Sequence, residues 1–289
     1  MIQLEIKLLE QYSQIKAPTI RMWEHRFRLF QPLRTPGNRR IYGVNDLKLL
    51  LDCTILLKHG YRISKLVNLA PAALEVKVAR LGTTIAAQET TISRLIIAYV
   101  ENDIPSFEDS LNAYSLSIGI HQCVNEIVIP FINRVGLFYY VDQKPSTHFV
   151  VTALRKKVLH ATDSLKEPGA MQVSALLFLP PNQHFDLLLL CVSYQLKTAG
   201  FNVLYLGTNV RLEILESVII KYSPDFLISY ISPESKASKT ENSFFSNLSA
   251  LYKNLVVTAA NSESASLFDS AIPYMKLTQH TGLPGNKGE

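Results

Sequence analysis

Positively charged side chains are concentrated in one short part of the sequence. The segment from Lys16 to Arg40 contains seven basic residues and one acidic residue. Lysine and arginine at this density bind the phosphate groups of a nucleic acid through ion pairs and hydrogen bonds. A solvated basic face would show the same clustering, so charge alone leaves both interpretations open.

The rest of the chain does not share this basic excess. Residues 1 to 70 contain twelve basic and five acidic residues, a net charge of +7, whereas the 289-residue chain has a net charge of +5. The remaining residues therefore have a net charge of −2. A hydrophobic content of 47% is typical of a globular protein, and the length fits two or three domains.

The sequence gives little indication of disulfides, a metal site or catalysis. Cys53, Cys123 and Cys191 lie far apart without C-x-x-C spacing, which predicts buried free thiols rather than disulfides or a zinc site. The sequence shows no G-x-G-x-x-G after a strand, no phosphate-binding G-x-x-x-x-G-K-[ST] and no G-x-S-x-G. Asp186 and Asp225 lie near predicted strand ends, but neither has an evident partner. We therefore expect a protein that is not an enzyme.

The sequence also predicts a cytoplasmic protein. The N-terminus has no charged segment followed by an apolar one, and no apolar run reaches about 18 residues. Neither a signal peptide nor a membrane span is expected. A DNA-binding protein of this kind would be associated with the nucleoid.

Short helices and one hairpin are predicted in residues 1–72. A helix with Leu4, Leu8 and Tyr12 on its apolar side precedes a second helix that starts near Pro18, a residue suited to a first helical turn. A tight turn at Pro36-Gly37 joins two basic extended arms, which predicts a wing. Further helices are expected over 46–57 and 63–69. This order predicts a winged helix-turn-helix domain.

Helices followed by alternating strands and helices are predicted for the rest of the chain. Apolar spacing in residues 73–167 predicts an antiparallel four-helix bundle, with helices near 75–88, 90–101, 107–138 with a break, and 146–163. In residues 168–289, strands are expected over 174–179, 202–207, 226–232 and 255–259, with a fifth near 274–277. The intervening helices fall near 184–198, 211–221, 242–253 and 264–271. We expect a multidomain α and α/β protein ending in a doubly wound parallel, Rossmann-like and flavodoxin-like domain.

The first domain resembles the MerR family of bacterial transcription regulators. The resemblance rests on the run Ile15-Lys16-Ala17-Pro18-Thr19-Ile20-Arg21-Met22-Trp23-Glu24-His25-Arg26-Phe27, followed by Pro32, Arg34-Thr35, Asn38, Arg40 and Tyr42. It implies that the second helix enters a DNA groove and that the wing contacts flanking phosphates. The implied DNA-binding residues are Lys16, Thr19, Arg21, His25, Arg26, Arg34, Asn38, Arg40 and Tyr42.

Roles within this set also follow from the resemblance. The arginines would mainly hold the DNA backbone, whereas Thr19 and His25 would lie nearer the base edges. Trp23 and Phe27 are expected in the core, and Tyr42 could serve either the core or a phosphate contact. Regulators of this type bind two-fold DNA sites as dimers, so a dimer or higher oligomer is expected. Because Pro71 interrupts the chain, dimerisation would fall to the later domains or occur on DNA.

The later domains resemble the cobalamin-binding subgroup of the same family. In those domains an acid, a histidine and a glycine follow the first strand. The histidine binds cobalt, the acid orients its ring and the glycine leaves room for the nucleotide tail. Here His184 matches the histidine, while Asn182 stands for the acid and Leu187 for the glycine.

Further positions of this resemblance match unevenly. Ser229-Tyr230-Ile231 matches the family's Ser-x-Leu segment, whereas Ala259-Ala260 replaces paired glycines. On the bundle side, Tyr139 or Phe138 would replace a tryptophan, and Thr147-His148 replaces Glu-His. The implied cofactor-binding residues are Asn182, His184, Ser229, Ile231, Tyr139 and His148, with His184 as the cobalt ligand.

Three functional hypotheses follow. The first is a regulator of double-stranded DNA whose affinity is controlled by a ligand such as cobalamin. In the second, the C-terminal domain only dimerises or binds a protein partner. In the third, the chain is a corrinoid-dependent enzyme or carrier with an accessory N-terminal domain.

Overall fold

The computed structural model describes residues 2–137, 145–165, 173–231, 239–252, 255–259 and 271–273. The chain divides into two compact units, each of which is described by itself. Among the described residues, the first unit contains residues 2–136 and 145–153. The second contains Leu137 and the residues from Leu154 onward.

The first unit starts with the predicted helix-turn-helix and wing. Its elements are α1 (Ile6–Ser13), α2 (Ala17–Phe27), β1 (Leu33–Arg34), β2 (Arg40–Ile41), α3 (Val44–Lys58) and α4 (Ile63–Leu66). Pro18 lies in the first turn of α2, where no intrahelical hydrogen bond needs its missing N–H. Strands β1 and β2 pair antiparallel, and a bridge between Leu4 and Tyr42 ties the chain start to the wing.

A small aromatic core holds these elements together. Ile20, Trp23, Phe30 and Tyr42 are all buried, and the rings of Phe30 and Tyr42 meet edge to face with centroids 6.2 Å apart. The predicted core position of Trp23 is confirmed. Phe27 is only partly buried.

The helical region contains α5 (Pro71–Ala79), α6 (Thr84–Glu101), α7 (Ile104–Ile118), α8 (Ile120–Cys123), a π-helical turn (Val124–Val128), α9 (Ile129–Val135) and α10 (Pro145–Asp163). The predicted helix boundary between residues 88 and 90 is wrong. The chain breaks earlier, at Gly82 with φ +60°, and the Thr83 hydroxyl caps α6 by accepting a hydrogen bond from the Ala86 N–H.

The predicted break within residues 107–138 is confirmed at Gly119. This residue separates α7 from α8 with φ +93°, a conformation that side chains with a Cβ rarely adopt. The π-helical turn follows shortly afterwards and shifts the helical register before α9.

A five-stranded parallel sheet forms the centre of the second unit. Its strands are β3 (Ser174–Phe178), β4 (Asn202–Gly207), β5 (Phe226–Ile231), β6 (Leu255–Ala259) and β7 (Ala271–Pro273), in the order β4-β3-β5-β6-β7. The helices are α11 (Leu187–Thr198), α12 (Leu212–Tyr222) and α13 (Lys239–Leu251). One apolar cluster joins Leu176 and Leu227 of the sheet to Leu215 of α12 and Phe245 of α13. The doubly wound prediction is confirmed.

The predicted strands agree with the structure to within one residue at each end, except for the fifth. Strand β7 ends at Pro273, and the predicted strand near 274–277 lies outside the described residues. The predicted helix near 264–271 also lies outside them, except for Ala271, which belongs to β7. Among the described helices, none is long and apolar enough to cross a membrane. Cys53, Cys123 and Cys191 are buried free thiols, as predicted.

Candidate nucleic-acid interface and ligand-binding edge

Helix α2 separates apolar and basic side chains onto different faces. Ile20 and Trp23 point into the core, whereas Arg21, His25 and Arg26 are exposed and Thr19 is partly exposed. Residues four apart lie on the same face of a helix, so Arg21 and His25 project together. The structure thus exposes Arg21, His25 and Arg26 of the predicted set to solvent and places Arg21 and His25 on one face of α2.

Lys16 marks the start of this surface. Its ammonium lies 3.2 Å from Glu10 Oε1, with the lysine side chain 81% exposed. Glu10 also accepts a hydrogen bond from the Ala17 N–H, and this bond, followed by the contact with Lys16, lowers the Glu10 pKa. An ion pair this exposed is weak, so Lys16 is available to a phosphate.

The wing is a short hairpin with exposed cations. Arg34 Nη1 donates to Asn38 Oδ1 at 2.7 Å, and Asn38 adopts a left-handed conformation with φ +61°. The Arg39 N–H donates to Thr35 Oγ1 at 3.1 Å and closes the turn. The exposed Arg39 side chain adds a cation that the predicted DNA-binding set omits, although its place beside Arg40 in the basic run could have indicated it.

Glu24 joins the wing to α2. Arg40 Nε donates to both Glu24 carboxylate oxygens at 2.9 and 3.0 Å, and the Tyr42 hydroxyl donates to Oε2 at 3.0 Å. Tyr42 is fully buried. Burial, followed by the Glu24 charge, raises the Tyr42 pKa. The sequence left Tyr42 open between a place in the core and a phosphate contact, and its ring lies in the core. Its contact with a phosphate stays a prediction.

The second unit contains a candidate ligand-binding edge at the carboxyl ends of β3 and β5. From β3 the chain passes through α11 to β4 on one side, and from β4 through α12 to β5 on the other. Ligands of open α/β sheets bind at such a switch point. His184 is exposed in the loop between β3 and α11, directly at this edge.

The neighbours of His184 differ in exposure. Asn182 is exposed with φ +66°, and its backbone N–H donates to Asn209 Oδ1 at 3.0 Å. Ser229 is fully buried within β5, and Leu187 is fully buried in the first turn of α11. The position where a glycine would leave space is therefore filled by an isobutyl side chain.

Asp186 lies two residues beyond His184 and has partners that the sequence did not reveal. Its Oδ1 lies 2.7 Å from Arg155 Nη1, and its Oδ2 accepts a hydrogen bond from the Tyr205 hydroxyl at 2.9 Å. The carboxylate is only 5% exposed. Asp225 also has partners, because it accepts hydrogen bonds from the N–H and hydroxyl of Ser174 at 2.7 and 2.8 Å.

The remaining predicted ligand residues are only partly described. Three of these residues, Phe138, Tyr139 and Ala260, lie outside the described residues. For Ile231, the last residue of β5, only the backbone is described. His148 is exposed on α10, beside the buried Thr147, whose hydroxyl lies 3.2 Å from that of Tyr99. Among the described residues, no cluster of three metal-ligating side chains is present.

Comparison with known proteins agrees with this architecture. Residues 4–72 match the MerR HTH family regulatory protein model. The chain is 26% identical over 261 residues to the HTH-type transcriptional repressor CarH of Myxococcus xanthus, covering 86% of this chain and 84% of that protein. It is 22% identical over 250 residues to the HTH-type transcriptional repressor CarA of the same organism, covering 83% and 81%.

A solved structure resembles a large part of the fold. The monomethylamine corrinoid protein of Methanosarcina barkeri superposes with a TM-score of 0.50 at 13% identity, covering 68% of this chain and 98% of that one. At this identity the likeness concerns the fold alone. Residues 4–72 therefore form a MerR-type winged helix-turn-helix, and the chain is similar over most of its length to two transcriptional repressors. Much of the chain shares the fold of a solved corrinoid protein.

Proposed function

We propose that the chain is a homo-oligomeric repressor that binds operator DNA through α2 and the wing. The observation that carries this proposal is the exposed cations Arg21 and Arg26 of α2 and Arg34 and Arg39 of the wing. The two elements that carry them are joined by the ion pair between Glu24 of α2 and Arg40 of the wing. The repressor assignment is supported by the two Myxococcus relatives. The protein would act in the cytoplasm, without enzymatic activity.

A mobility-shift titration with the promoter region of its own gene tests DNA binding. Arg21→Ala combined with Arg26→Ala removes two phosphate-binding cations. We expect a loss of affinity of about tenfold or more and a salt dependence reduced by about two phosphates. Arg62→Ala, an exposed cation outside α2 and the wing, is the matched control. An unchanged affinity and salt dependence of the double variant would contradict the proposal.

We further propose that the C-terminal domain binds a corrinoid, with His184 as the cobalt ligand. This is supported by the exposed position of His184 at the switch point of the sheet. The His184 imidazole fits a cobalt ligand, but the loop does not fit a buried nucleotide tail, because the buried Leu187 in the first turn of α11 occupies the position where a glycine would leave space. A bound corrinoid would supply a cobalt ion that can exchange a ligand, while the chain would contribute the imidazole and the edge of the sheet that holds the ring.

The corrinoid proposal is tested by mixing the purified protein with hydroxocobalamin or with aquocobinamide, which lacks the nucleotide tail. We expect both corrinoids to be retained after gel filtration with similar stoichiometry and to show a shifted absorption spectrum. His184→Ala should abolish retention, whereas His160→Ala, an exposed histidine on α10, should not. If neither corrinoid is retained, the C-terminal domain instead serves only for contact with another copy or a protein partner.

A further inference from the structure

A cleft of about 670 Å³ lies within the first unit, where α3 of the N-terminal domain faces the helices that follow it. Helices α3 and α5 form one side, and α6 with the start of α7 forms the other. Leu51, Ile55, Val78 and Ala98 contribute apolar surface. The volume is in the range of sites that bind small molecules, and neither DNA contact nor the His184 edge uses this cleft.

An acidic side chain, that of Asp52, lies on the cleft wall. Asp52 of α3 is partly buried, and in the described part of the chain neither a cation nor a hydrogen-bond donor contacts its carboxylate. Glu75 of α5 also lines the cleft and adds a second negative charge. Burial, followed by the Glu75 charge, raises the Asp52 pKa to about 6. An anion held in this way is stabilised by a cation that enters the cleft.

A second, independent observation concerns Ser93 of α6. Its side chain lines the cleft and its residue is 8% exposed, yet its hydroxyl has no hydrogen-bond partner among the described residues. Other helical hydroxyls in this unit bond to the carbonyl four residues earlier, as Thr54 does to Leu50 and Thr91 to Ala87. A buried hydroxyl without a partner is destabilising, so Ser93 can gain a hydrogen bond from an occupant.

The remaining charges do not neutralise this acidity. Lys48 lies 3.2 Å from Glu101, so its charge is already paired, and Asp103 caps α7 by accepting from the Ser106 N–H. Arg94 lines the cleft but is exposed. The lining therefore contains four acids and two cations: Asp52, Glu75, Glu101 and Asp103 against Lys48 and Arg94.

We propose that this cleft binds a small organic cation, with its ammonium group beside Asp52 and Glu75, a polar atom hydrogen-bonded to Ser93, and its apolar body against Leu51, Ile55 and Val78. Helix α3 belongs to the DNA-binding domain, whereas α6 and α7 belong to the bundle. A ligand that contacts both favours one arrangement of the domain relative to the bundle. The site is therefore an effector site that is separate from the corrinoid edge.

Isothermal titration calorimetry on the full chain at neutral pH tests the proposal with two matched probes. The first is 4-phenylbutylamine, which is cationic, and the second is 4-phenyl-1-butanol, which has the same apolar body without the charge. We expect the amine to bind with a Kd of about 10 μM to 1 mM and the alcohol to bind at least about tenfold more weakly.

Variants assign the binding to the cleft. Asp52→Asn should weaken amine binding by about tenfold or more and leave alcohol binding unchanged. Asp109→Asn, an exposed acid on α7 outside the cleft, should change neither. Ser93→Leu, which fills the cleft, should weaken both probes while circular dichroism shows the helical content retained. Equal binding of the two probes, unchanged amine binding by Asp52→Asn, or no amine binding at millimolar concentration would overturn the proposal.

Discussion

Arg155 Nη1 of α10 lies 2.7 Å from Asp186 Oδ1, so a cation of the last bundle helix neutralises a carboxylate two residues beyond His184. Tyr205 of β4 completes the arrangement with its hydrogen bond to Oδ2. The loop that carries His184 is thereby fixed at its helix end by two elements. Burial, followed by the charge of Asp186, raises the Tyr205 pKa, so the phenol remains a hydrogen-bond donor.

Replacing Asp186 should therefore destabilise the second unit. Because the carboxylate is buried while the Arg155 side chain is 41% exposed, we expect Asp186→Asn to cost about 1–3 kcal/mol, less than a fully buried pair. Differential scanning calorimetry measures this loss. Lys156→Ala, which removes a neighbouring exposed cation, is the control. A double variant with Arg155→Ala should lose less than the sum of the two single variants, and full additivity would show that the pair is not coupled.

A substitution at Tyr42 tests whether its hydroxyl stabilises the core or contacts DNA. Tyr42→Phe removes only the hydroxyl that donates to Glu24, and we expect a loss of about 0.5–1.5 kcal/mol in unfolding free energy. DNA affinity should change little because the ring stays in place and Arg40 keeps its bond to Glu24. Parallel urea unfolding and mobility-shift titrations measure both quantities. A large affinity loss at unchanged stability would instead assign the hydroxyl to a phosphate.

The sequence correctly predicted those features that depend on the residue pattern of a single helix or strand. The burial of Ile20 and Trp23 opposite Arg21 and His25 follows from spacing on a single helix. The strands follow from short apolar runs that end at turn residues. The bundle boundary failed because apolar spacing continues across Gly82, so periodicity gave no stop signal there. The two boundaries between the three domains proposed from the sequence stay predictions.

Contacts between separate elements could not be predicted from one sequence. Asp186 lies near Arg155 and Tyr205 only after α10, the loop and β4 pack together. The same holds for Glu24 with Arg40 and Tyr42, which are brought together by the wing. Nothing in the sequence around Asp52 indicates that its carboxylate is partly buried. The burial arises because α3 packs against α5 and α6.

The three cysteines should react slowly with thiol reagents in the native protein. All are buried, and burial, followed by a nearby carboxylate charge, raises the pKa values of Cys53 and Cys191 to about 12. Because the thiolate is the reactive form, labelling by a chromogenic disulfide should require unfolding. Absorbance with and without urea measures this difference. Rapid labelling of the native protein would contradict the burial of these thiols.

Asp52 should lower stability near neutral pH. Its folded pKa of about 6 exceeds the ordinary value of 3.8 for an aspartate. The free-energy cost of burying the charged carboxylate is therefore absent well below pH 3.8 and fully present above about pH 6. The cleft around Asp52 is also lined by other charged side chains, those of Glu75, Glu101, Asp103, Lys48 and Arg94. Allowing for partial exposure, Asp52→Asn should add about 1–2 kcal/mol at pH 8. Thermal melts from pH 4 to 8 should show the two melting curves converging at low pH, and a constant difference would contradict the assignment.

Glu89 should have the opposite pH dependence. It joins α6 to α9 through two contacts with Arg134 at 2.9 and 3.1 Å, and to α3 through Lys58 at 2.6 Å. Burial alone would raise the Glu89 pKa, but the hydrogen bonds from Arg134 and Lys58 outweigh it and lower the pKa. The stabilisation by Glu89 is thus fully present above the ordinary glutamate pKa of 4.5 and is lost as pH falls through the lower folded pKa.

Glu89→Gln leaves Arg134, only 11% exposed, without its countercharge, so we expect a loss of about 2–4 kcal/mol at neutral pH. Glu101→Gln is the matched control, because its ion pair with Lys48 is substantially exposed and should contribute less than about 1 kcal/mol. Urea unfolding between pH 3 and 8 measures both variants. The gap between Glu89→Gln and the unmodified chain should narrow only below pH 4.5, because protonation of Glu89 then removes the same charge that the substitution removes. A gap that is already closed at pH 6 would show that the carboxylate does not stabilise the packing of α3, α6 and α9.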